Sequence, residues 1–167
     1  MSQKLIIRRA DSADAEKIAD GINQICVEGG AFYVTRFVLS EKWHQLLYQP
    51  KTNSNHLSLV AEWDQQFAGS LRLFTGEEYT LYEHVSDLGL FILKPYRRLG
   101  IGTRLMTEAL GWARINKVEK IMLVVFASNL LAIRLYERFG FQQEGCLKRQ
   151  IKTGNEYIDL LQMALFL

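Results

Sequence analysis

The apolar positions of the chain repeat with the periods of strands and of amphipathic helices, and they divide it into alternating elements. Strands are predicted over residues 4–8, 57–63, 67–74, 88–93, 120–127, 141–152 and 156–165. Helices are predicted from a cap at Asp11 or Ser12 to Gly29, from Ser40 to before Pro50, from Thr103 onward, and from Ser128 or Asn129 to Gly140. This order predicts a mixed α/β fold in a single domain covering residues 1–167.

A strand, a glycine-bearing loop and a helix start follow one another in the middle of the chain. The apolar run ends at Leu93, residues 97–102 form the loop, and Thr103 opens a helix. The first amides of a helix lack intrahelical partners, and the helix dipole places partial positive charge there. Gly100 and Gly102 let the backbone approach a phosphate closely. The loop and the first turn also carry the cations Arg97, Arg98 and Arg104.

Three kinds of phosphate loop are compared with this stretch. A P-loop requires a lysine after its last glycine, and none follows Gly102. A Rossmann fingerprint requires a third glycine or alanine, and Leu105 stands in that place. The pattern R-x-x-G-x-G is met by Arg97, Gly100 and Gly102. The sequence therefore predicts a phosphate or pyrophosphate site held mainly by backbone, with an ordinary strand-loop-helix corner as the alternative.

A second pattern follows the apolar run over residues 120–127. That run is continuous, which is typical of a strand buried on both faces and parallel to a neighbour. In the next helix Leu131, Leu135 and Phe139 form one stripe, with Tyr136 beside it. Residues 129–141 read N-x-x-A-x-x-L-Y-x-x-x-G-F. Taken alone, a tyrosine at such a position is also typical of a packed core residue.

The two motifs, in this order and at this spacing, resemble those of the GNAT superfamily of N-acetyltransferases. R-x-x-G-x-G resembles its acetyl-CoA loop, and the pattern over residues 129–141 resembles its second motif. Residues 144–149 and 155–163 resemble the branch that contains phosphinothricin and related amino-acid N-acetyltransferases. The resemblance covers essentially the whole chain. It is strong over 87–163 and weaker in the first 80 residues, where acceptor specificity is expected to lie.

The resemblance implies the GNAT fold and acetyl-CoA as cosubstrate. This fold is an α+β architecture whose central mixed, mostly antiparallel sheet has about seven strands and about four flanking helices. The sheet is splayed between strands four and five, here residues 83–93 and 120–127, and acetyl-CoA lies in the cleft. The implied cofactor-binding residues are Phe91, Ile92, Leu93, Arg97, Arg98, Leu99, Gly100, Ile101, Gly102, Thr103 and Asn129.

The resemblance also implies the catalytic groups. Tyr136 is expected near the sulfur, where a hydroxyl with a pKa of about 10 can donate a proton at neutral pH. Asp87 is the preferred general base, acting through water. Glu28 is the alternative base, or it binds the acceptor ammonium. For each carboxylate, a solvated or capping role is the alternative.

Aromatic residues after the first helix are the candidates for an acceptor pocket. Phe32 and Tyr33 lie in a segment without clear periodicity, beside the expected cofactor site. Together with Glu28 they form the predicted substrate-binding set. Their alternative role is packing in the core under a long loop.

The composition bears on the partners, the metal content and the cellular location to be expected. The chain has 167 residues, 49% of them hydrophobic, and a formal net charge of +2, which gives no reason to expect a nucleic-acid or membrane partner. The two cysteines, Cys26 and Cys146, form no CxxC pair, and the three histidines are scattered, so no metal site is expected. With no signal-peptide pattern at the start, we expect a cytoplasmic, bacterial protein.

The sequence thus predicts an acetyl-CoA-dependent N-acetyltransferase acting on a small-molecule amine, with an amino acid or its analogue favoured. Acetylation of a protein N-terminus or lysine is one alternative, and a non-catalytic CoA-binding module is another. A covalent acetyl-cysteine is not expected, because neither cysteine has a neighbouring histidine or a helix-start position. A homodimer is compatible with the resemblance.

Overall fold

The computed structural model describes residues 4–29, 32, 34–48, 55–76 and 79–167, with backbone alone for 45–48. Within this part of the chain the strands are β1 (Leu5–Arg9), β2 (His56–Trp63), β3 (Gln66–Thr75), β4 (Val85–Ile92), β5 (Lys120–Phe126), β6 (Gln142–Thr153) and β7 (Glu156–Phe166). The helices are α1 (Asp14–Glu28), α2 (Glu41–Tyr48), α3 (Ile101–Ile115) and α4 (Leu130–Arg138), with a 3₁₀ turn at Lys94–Tyr96.

The seven described strands form one sheet in the order β1-β2-β3-β4-β5-β7-β6. Neighbouring strands are antiparallel except β4 and β5, which run parallel. Their pairing covers three residue pairs, from Val85–Lys120 to Asp87–Met122, and ends there. The predicted mixed, mostly antiparallel sheet, splayed between its fourth and fifth strands, is therefore confirmed.

One face of the sheet packs on α3. Alternate side chains of the strands point to this face because successive residues of a strand point to opposite sides. The buried side chains that meet here include Leu71, Leu73, Leu88, Leu105, Met106, Ala109, Ile121 and Leu123. Burying each leucine or isoleucine contributes about 1.5–3 kcal/mol, so this layer fixes α3 against β2, β3 and β4.

The opposite face of the sheet packs on α1 and α2. Ile18 and Ile25 of α1 meet Val60 and Phe91 in a second buried cluster. On the α2 side, an aromatic row packs ring to ring through Phe37, Trp43, Phe74 and His56. Since Phe91 lies on this face, the alternating residues Asp87 and Gly89 of β4 lie on it too.

Two helices start elsewhere than predicted. α1 begins at Asp14, after Asp11 and Ser12, because the Asp11 side chain accepts the Ala13 amide and closes a turn before the helix. α3 begins at Ile101, before Thr103, because a left-handed Gly100 caps it. Gly102 therefore lies in the first turn of α3 and not in the loop.

Two packing predictions are also corrected. β5 is not buried on both faces: Ile121 and Leu123 are buried, whereas Met122 is only partly buried, because α3 covers one face only. Leu131 does not belong to the core stripe of α4, since it is 64% exposed. The helix is turned so that Tyr136 is its buried residue.

A charged cluster joins β1, α1 and β2. Arg8 donates two hydrogen bonds to Asp14, from Nη1 at 2.6 Å and from Nη2 at 2.9 Å, and another to Glu62 at 2.6 Å. Asp14 is 1% exposed. Burial raises the pKa of its carboxyl, but the hydrogen bonds from Arg8 and the Asp11 amide outweigh burial, so the pKa lies below its ordinary value. The cluster therefore stabilises the fold with Asp14 ionised.

The pH dependence of stability tests this cluster. Because the folded-state pKa of Asp14 is the lower one, its stabilisation is complete above the unfolded value of about 3.9 and is lost as the pH falls through it towards the folded value. We expect Asp14→Asn to lower the free energy of unfolding at neutral pH by about 1.5–3 kcal/mol, as for hydrogen bonds to charged groups. Urea unfolding over the acid and neutral range measures both proteins.

The control for this prediction is Asp20→Asn, because Asp20 is an exposed residue of the same helix. Its unfolding curve should follow that of the wild type at every pH. If Asp14→Asn lost as much stability on acidification as the wild type does, Asp14 would not be the titrating group.

Candidate active site

The start of α3 forms an anion-binding end of the site. Gly100 caps the helix with φ of 80°, in the left-handed region that favours glycine. The Arg104 amide bonds the Gly100 carbonyl at 3.1 Å, so the amides of Ile101, Gly102 and Thr103 precede the first intrahelical bond. A Cβ on Gly100 would meet nothing within 4 Å. Open space and three amides with the positive end of the dipole fit a pyrophosphate.

The residues before Gly100 present their side chains to solvent. Arg98 has φ of 65°, and Leu99 is 44% exposed. The exposed Arg98 guanidinium forms no ion pair with a residue that the structure describes. It is therefore free to meet an anion at the start of α3.

Arg97 and Glu28 are brought together although they lie far apart in the sequence. Arg97 Nη2 lies 2.6 Å from Glu28 Oε2, and Arg97 Nε donates to the Ile92 carbonyl at 2.9 Å. The pair fastens the last residue of α1 to the last residue of β4. Arg97 was predicted to contact the cofactor and Glu28 the acceptor, and in the structure each is the other's partner.

The end of β4 borders the opening between β4 and β5. Phe91 and Leu93 bury their side chains against α1, and Ile92 packs on the α3 side. Past Asp87 the edge of β4 that faces β5 has left the ladder. Of the residues predicted to hold the cofactor here, Leu93 donates its amide to the Ala68 carbonyl and Ile92 accepts from Arg97 Nε, so this edge is only partly open to an extended ligand.

Asp87 stands where the two strands part. It is the last residue of β4 that pairs with β5, and its side chain is 46% exposed. Its Oδ1 accepts a hydrogen bond from Arg72 Nη1 at 2.7 Å. The same residue lines an open cavity of about 240 Å³. The other lining residues are Phe74, Thr75, Gly76, Tyr82, Val85 and Met122.

Asn129 begins the second motif, and Tyr136 lies within it. The Tyr136 ring packs on Phe141, with centroids 5.7 Å apart, and is 6% exposed. Burial raises the pKa of its hydroxyl, so at neutral pH Tyr136 can donate a proton but cannot accept one. The Asn129 side-chain oxygen accepts the Ala132 amide at 3.3 Å as the cap of α4. Its NH₂ group has no hydrogen-bond partner among the residues that the structure describes, so it can donate to a ligand.

Of the two aromatic residues predicted to bind the acceptor, Phe32 is among the described residues and Tyr33 is not. Phe32 is partly buried and meets Phe91 edge to face at 6.2 Å. It packs with the second cluster, which is the alternative role considered for it. Tyr33 lies outside the described residues.

Several residues of the site were missed by the sequence analysis. They are Arg72, Trp43, Phe74 and Met122. Arg72 had a detectable signal, since it is the one charged residue between Phe67 and Thr75 in an otherwise apolar and small strand. The others needed the cross-strand pairs Phe74–Asp87 and Asp87–Met122, which only the register supplies.

Among the described residues, no group of three or more His, Cys, Asp and Glu side chains is arranged to hold a metal ion. No helix there combines the length and the apolar character needed to cross a bilayer.

Comparison with known proteins agrees with this geometry. The family model described as "Acetyltransferase (GNAT) family" matches residues 29–141. An L-amino acid N-acetyltransferase from Escherichia coli is 27% identical, over 96% of this chain and 97% of that protein. The solved ribosomal-protein-alanine N-acetyltransferase of Brucella melitensis is 28% identical, with a TM-score of 0.85 over 97% of this chain and 99% of that one.

A third comparison concerns the cofactor. The phosphinothricin acetyltransferase of Sinorhizobium meliloti was solved in complex with acetyl-CoA. It shares the fold at a TM-score of 0.85 and 21% identity, over 98% of this chain and 88% of that one. The family match covers more than half of the chain and includes the start of α3 and the second motif. The chain therefore belongs to the acetyltransferase (GNAT) family and is an N-acetyltransferase.

Proposed function

We propose that the chain transfers an acetyl group from acetyl-CoA directly to the amine of a small molecule, with an amino acid or its analogue as the favoured acceptor. The observation that carries this is the position of Asp87, an accessible carboxylate at the point where β4 and β5 part. The Escherichia coli relative, which spans nearly the whole chain and is named for L-amino acids, supports the acceptor class.

The cosubstrate is held mainly by backbone in this proposal. Acetyl-CoA supplies the acetyl group as an activated thioester and leaves as a thiol. The amides from Arg98 to Thr103 bind its pyrophosphate, and the β4 edge at Phe91–Leu93 pairs with its pantetheine. An amide of that edge faces the thioester carbonyl, where it stabilises the developing oxyanion. Asn129 donates a hydrogen bond from its NH₂ group.

The acceptor amine must lose a proton before it can attack. A lysine-like amine with a pKa of about 10.4 lies about 3.4 units from neutrality at pH 7, a cost of roughly 4.6 kcal/mol. An α-amine with a pKa of about 7.7–8.0 costs only about 1 kcal/mol. A single accessible carboxylate such as Asp87 is therefore an adequate base, directly or through water, for an amino acid.

Glu28 is the alternative base, and its contacts favour Asp87. Glu28 is bonded to Arg97 at the end of β4. Asp87 also has an arginine partner, but it borders the cavity in which an acceptor would lie. We therefore assign proton acceptance to Asp87.

Tyr136 assists the leaving group. The pKa of a thiol is about 8.5, which is about 1.5 units above pH 7. Forming the CoA thiolate at pH 7 therefore costs only roughly 2 kcal/mol relative to the thiol. The buried, protonated Tyr136 hydroxyl can supply the proton. Because the thiolate is nearly stable by itself, the contribution is modest.

The cellular setting is part of the same proposal. We infer a cytoplasmic, bacterial protein without a nucleic-acid or membrane partner. The small net charge and the free thiols of Cys26 and Cys146 support this setting.

Thiol release from acetyl-CoA tests the acceptor class. The panel holds amino acids, polyamines, aminoglycosides and short peptides, and calorimetry measures acetyl-CoA binding separately. We expect release with amino acids. Release with peptides alone would establish the protein N-acetyltransferase alternative, and binding without release on any amine would establish a CoA-binding module.

Replacing each carboxylate separates the two candidate bases. We expect Asp87→Asn to lower kcat/KM by about 10²-fold or more, the lower limit for general base catalysis, with unchanged acetyl-CoA affinity. The loss should shrink as the pH rises towards 9, because the free amine then dominates in solution. We expect Glu28→Gln to lose less than Asp87→Asn at every pH, and the opposite order would make Glu28 the base.

Tyr136→Phe tests the proton donor. We expect kcat to fall about tenfold near neutral pH while acetyl-CoA still binds, since only the hydroxyl is removed and the ring still packs on Phe141. The control is Tyr157→Phe, because Tyr157 is half exposed on β7. Equal kcat for Tyr136→Phe and wild type across about pH 6 to 9 would exclude this role.

A further inference from the structure

Arg72 of β3 brings a positive charge to the cavity that Asp87 lines. Its side chain is 27% exposed, and its Nη1 lies 2.7 Å from Asp87 Oδ1. Its guanidinium carbon lies 4.6 Å from the centre of the Phe74 ring. Both contacts are residues that line the cavity. Arg72 does not itself line the cavity, but its guanidinium contacts two residues that do and is within reach of solvent.

Gly89 makes room for this arrangement. Arg72 and Gly89 are paired across β3 and β4. A Cβ on Gly89 would stand 2.8 Å from Arg72 Nε and 3.1 Å from Cζ. The guanidinium thus lies over Gly89 on its way to Asp87. Any side chain at position 89 would displace it.

Most N–H donors of the Arg72 guanidinium make no hydrogen bond to the described residues. A guanidinium carries five N–H donors, and the one hydrogen bond that Arg72 makes to a described residue is the bond to Asp87. Ser58 pairs with Arg72 on the other side of β3. Its buried hydroxyl has no hydrogen-bond partner in the described part of the chain, so it does not engage Arg72. The remaining donors form a planar fork of the kind that binds a carboxylate at two points.

We propose that Arg72 binds the carboxylate of an α-amino acid acceptor while Asp87 receives its amine. The proposal rests on the proposed function and narrows its acceptor to a zwitterion. In an α-amino acid the ammonium and the carboxylate are joined through one carbon, so the two charges are close neighbours. Arg72 and Asp87 offer the opposite charges in direct contact, 2.7 Å apart.

The rest of the cavity selects the side chain of the acceptor. Phe74, Tyr82, Val85 and Met122 line it with apolar surface. Trp43 extends this surface from α2, with its ring centroid 6.0 Å from that of Phe74. An amino acid with an apolar side chain, such as leucine, fits these walls because its side chain leaves water on binding.

A purely structural role for Arg72 predicts a different result. If Arg72 only held the Asp87 carboxylate in place, its loss would weaken the acetylation of every amine by the same factor. If Arg72 instead binds the carboxylate of the acceptor, its loss weakens the acetylation of acceptors that carry a carboxylate more than that of acceptors without one. A matched pair of acceptors therefore separates the two roles.

The experiment compares L-leucine with L-leucinamide, which keeps the amine and side chain but has no carboxylate. We expect Arg72→Gln to lower kcat/KM for leucine about 10- to 100-fold more than for leucinamide, as for the loss of hydrogen bonds to a charged group. Arg72→Lys keeps the positive charge but not the planar fork, so its preference for leucine over leucinamide should lie between those of the wild type and Arg72→Gln. Gly89→Ala should shift the preference in the same direction, because it displaces the guanidinium. The control is Arg114→Gln, an exposed change in the last turn of α3.

Calorimetric binding of L-leucine to the CoA-bound protein gives a readout that does not depend on turnover. We expect the wild type to bind leucine and Arg72→Gln to bind it at least tenfold more weakly. The acetyl-CoA affinity and the melting temperature of Arg72→Gln should stay close to those of the wild type. Equal losses for leucine and leucinamide would overturn the carboxylate site.

The failure of the proposed function would look different from the failure of the carboxylate site. If no amine is acetylated but leucine binds in an Arg72-dependent way, the function fails and the site stands. If leucinamide is acetylated, and leucine neither binds more tightly nor reacts faster than leucinamide, the proposed function stands and the carboxylate site is refuted.

Discussion

The parting of β4 and β5 is the constraint on which the rest of the site depends. Two parallel strands cannot be joined by a tight turn, so the chain must cross the sheet between them, and α3 makes that crossing. The crossing brings the start of α3 to the end of β4, while the pairing of the two strands stops at Asp87 and Met122. One topological feature thus supplies an opening, a free strand edge and a set of unpaired amides at the same end of the sheet. Asp87, the carboxylate that we propose as the base, is the last residue of β4 that pairs with β5 and therefore lies where the strands separate.

The two faces of the sheet divide structural and chemical roles. The α3 face is an apolar core in which Leu71, Leu88 and Ile121 are buried. The opposite face carries the Arg72–Asp87 pair beside the Phe74 ring, partly open to solvent. Period-two alternation keeps these environments one residue apart along the same strand. A charged pair can therefore stand in the middle of the sheet without entering the core, and Gly89 gives its cation the necessary space.

Local features of the site could be predicted from the sequence, and features that depend on register could not. Gly100, Asn129 and Tyr136 are fixed by helix ends and motif spacing, which the chain displays within a few residues. The Arg97–Glu28 contact joins residues on different elements, and nothing local in either residue indicates the other. Arg72 lies over Gly89 only because β3 and β4 pair in one particular register. Leu131 was misplaced because helical periodicity allows two neighbouring stripes, and tertiary packing chose the one that contains Tyr136.

The Arg97–Glu28 ion pair supports the proposal that a pyrophosphate is held mainly by backbone. Arg97 spends its charge on Glu28 and on the Ile92 carbonyl, so it contributes little net positive charge to a pyrophosphate. The amides at the start of α3 cannot be neutralised in this way, because their charge is part of the helix. Arg97 instead couples the end of α1, which leads into the acceptor segment, to the end of β4, which borders the cofactor cleft. The contact thus holds the end of α1 against the end of β4.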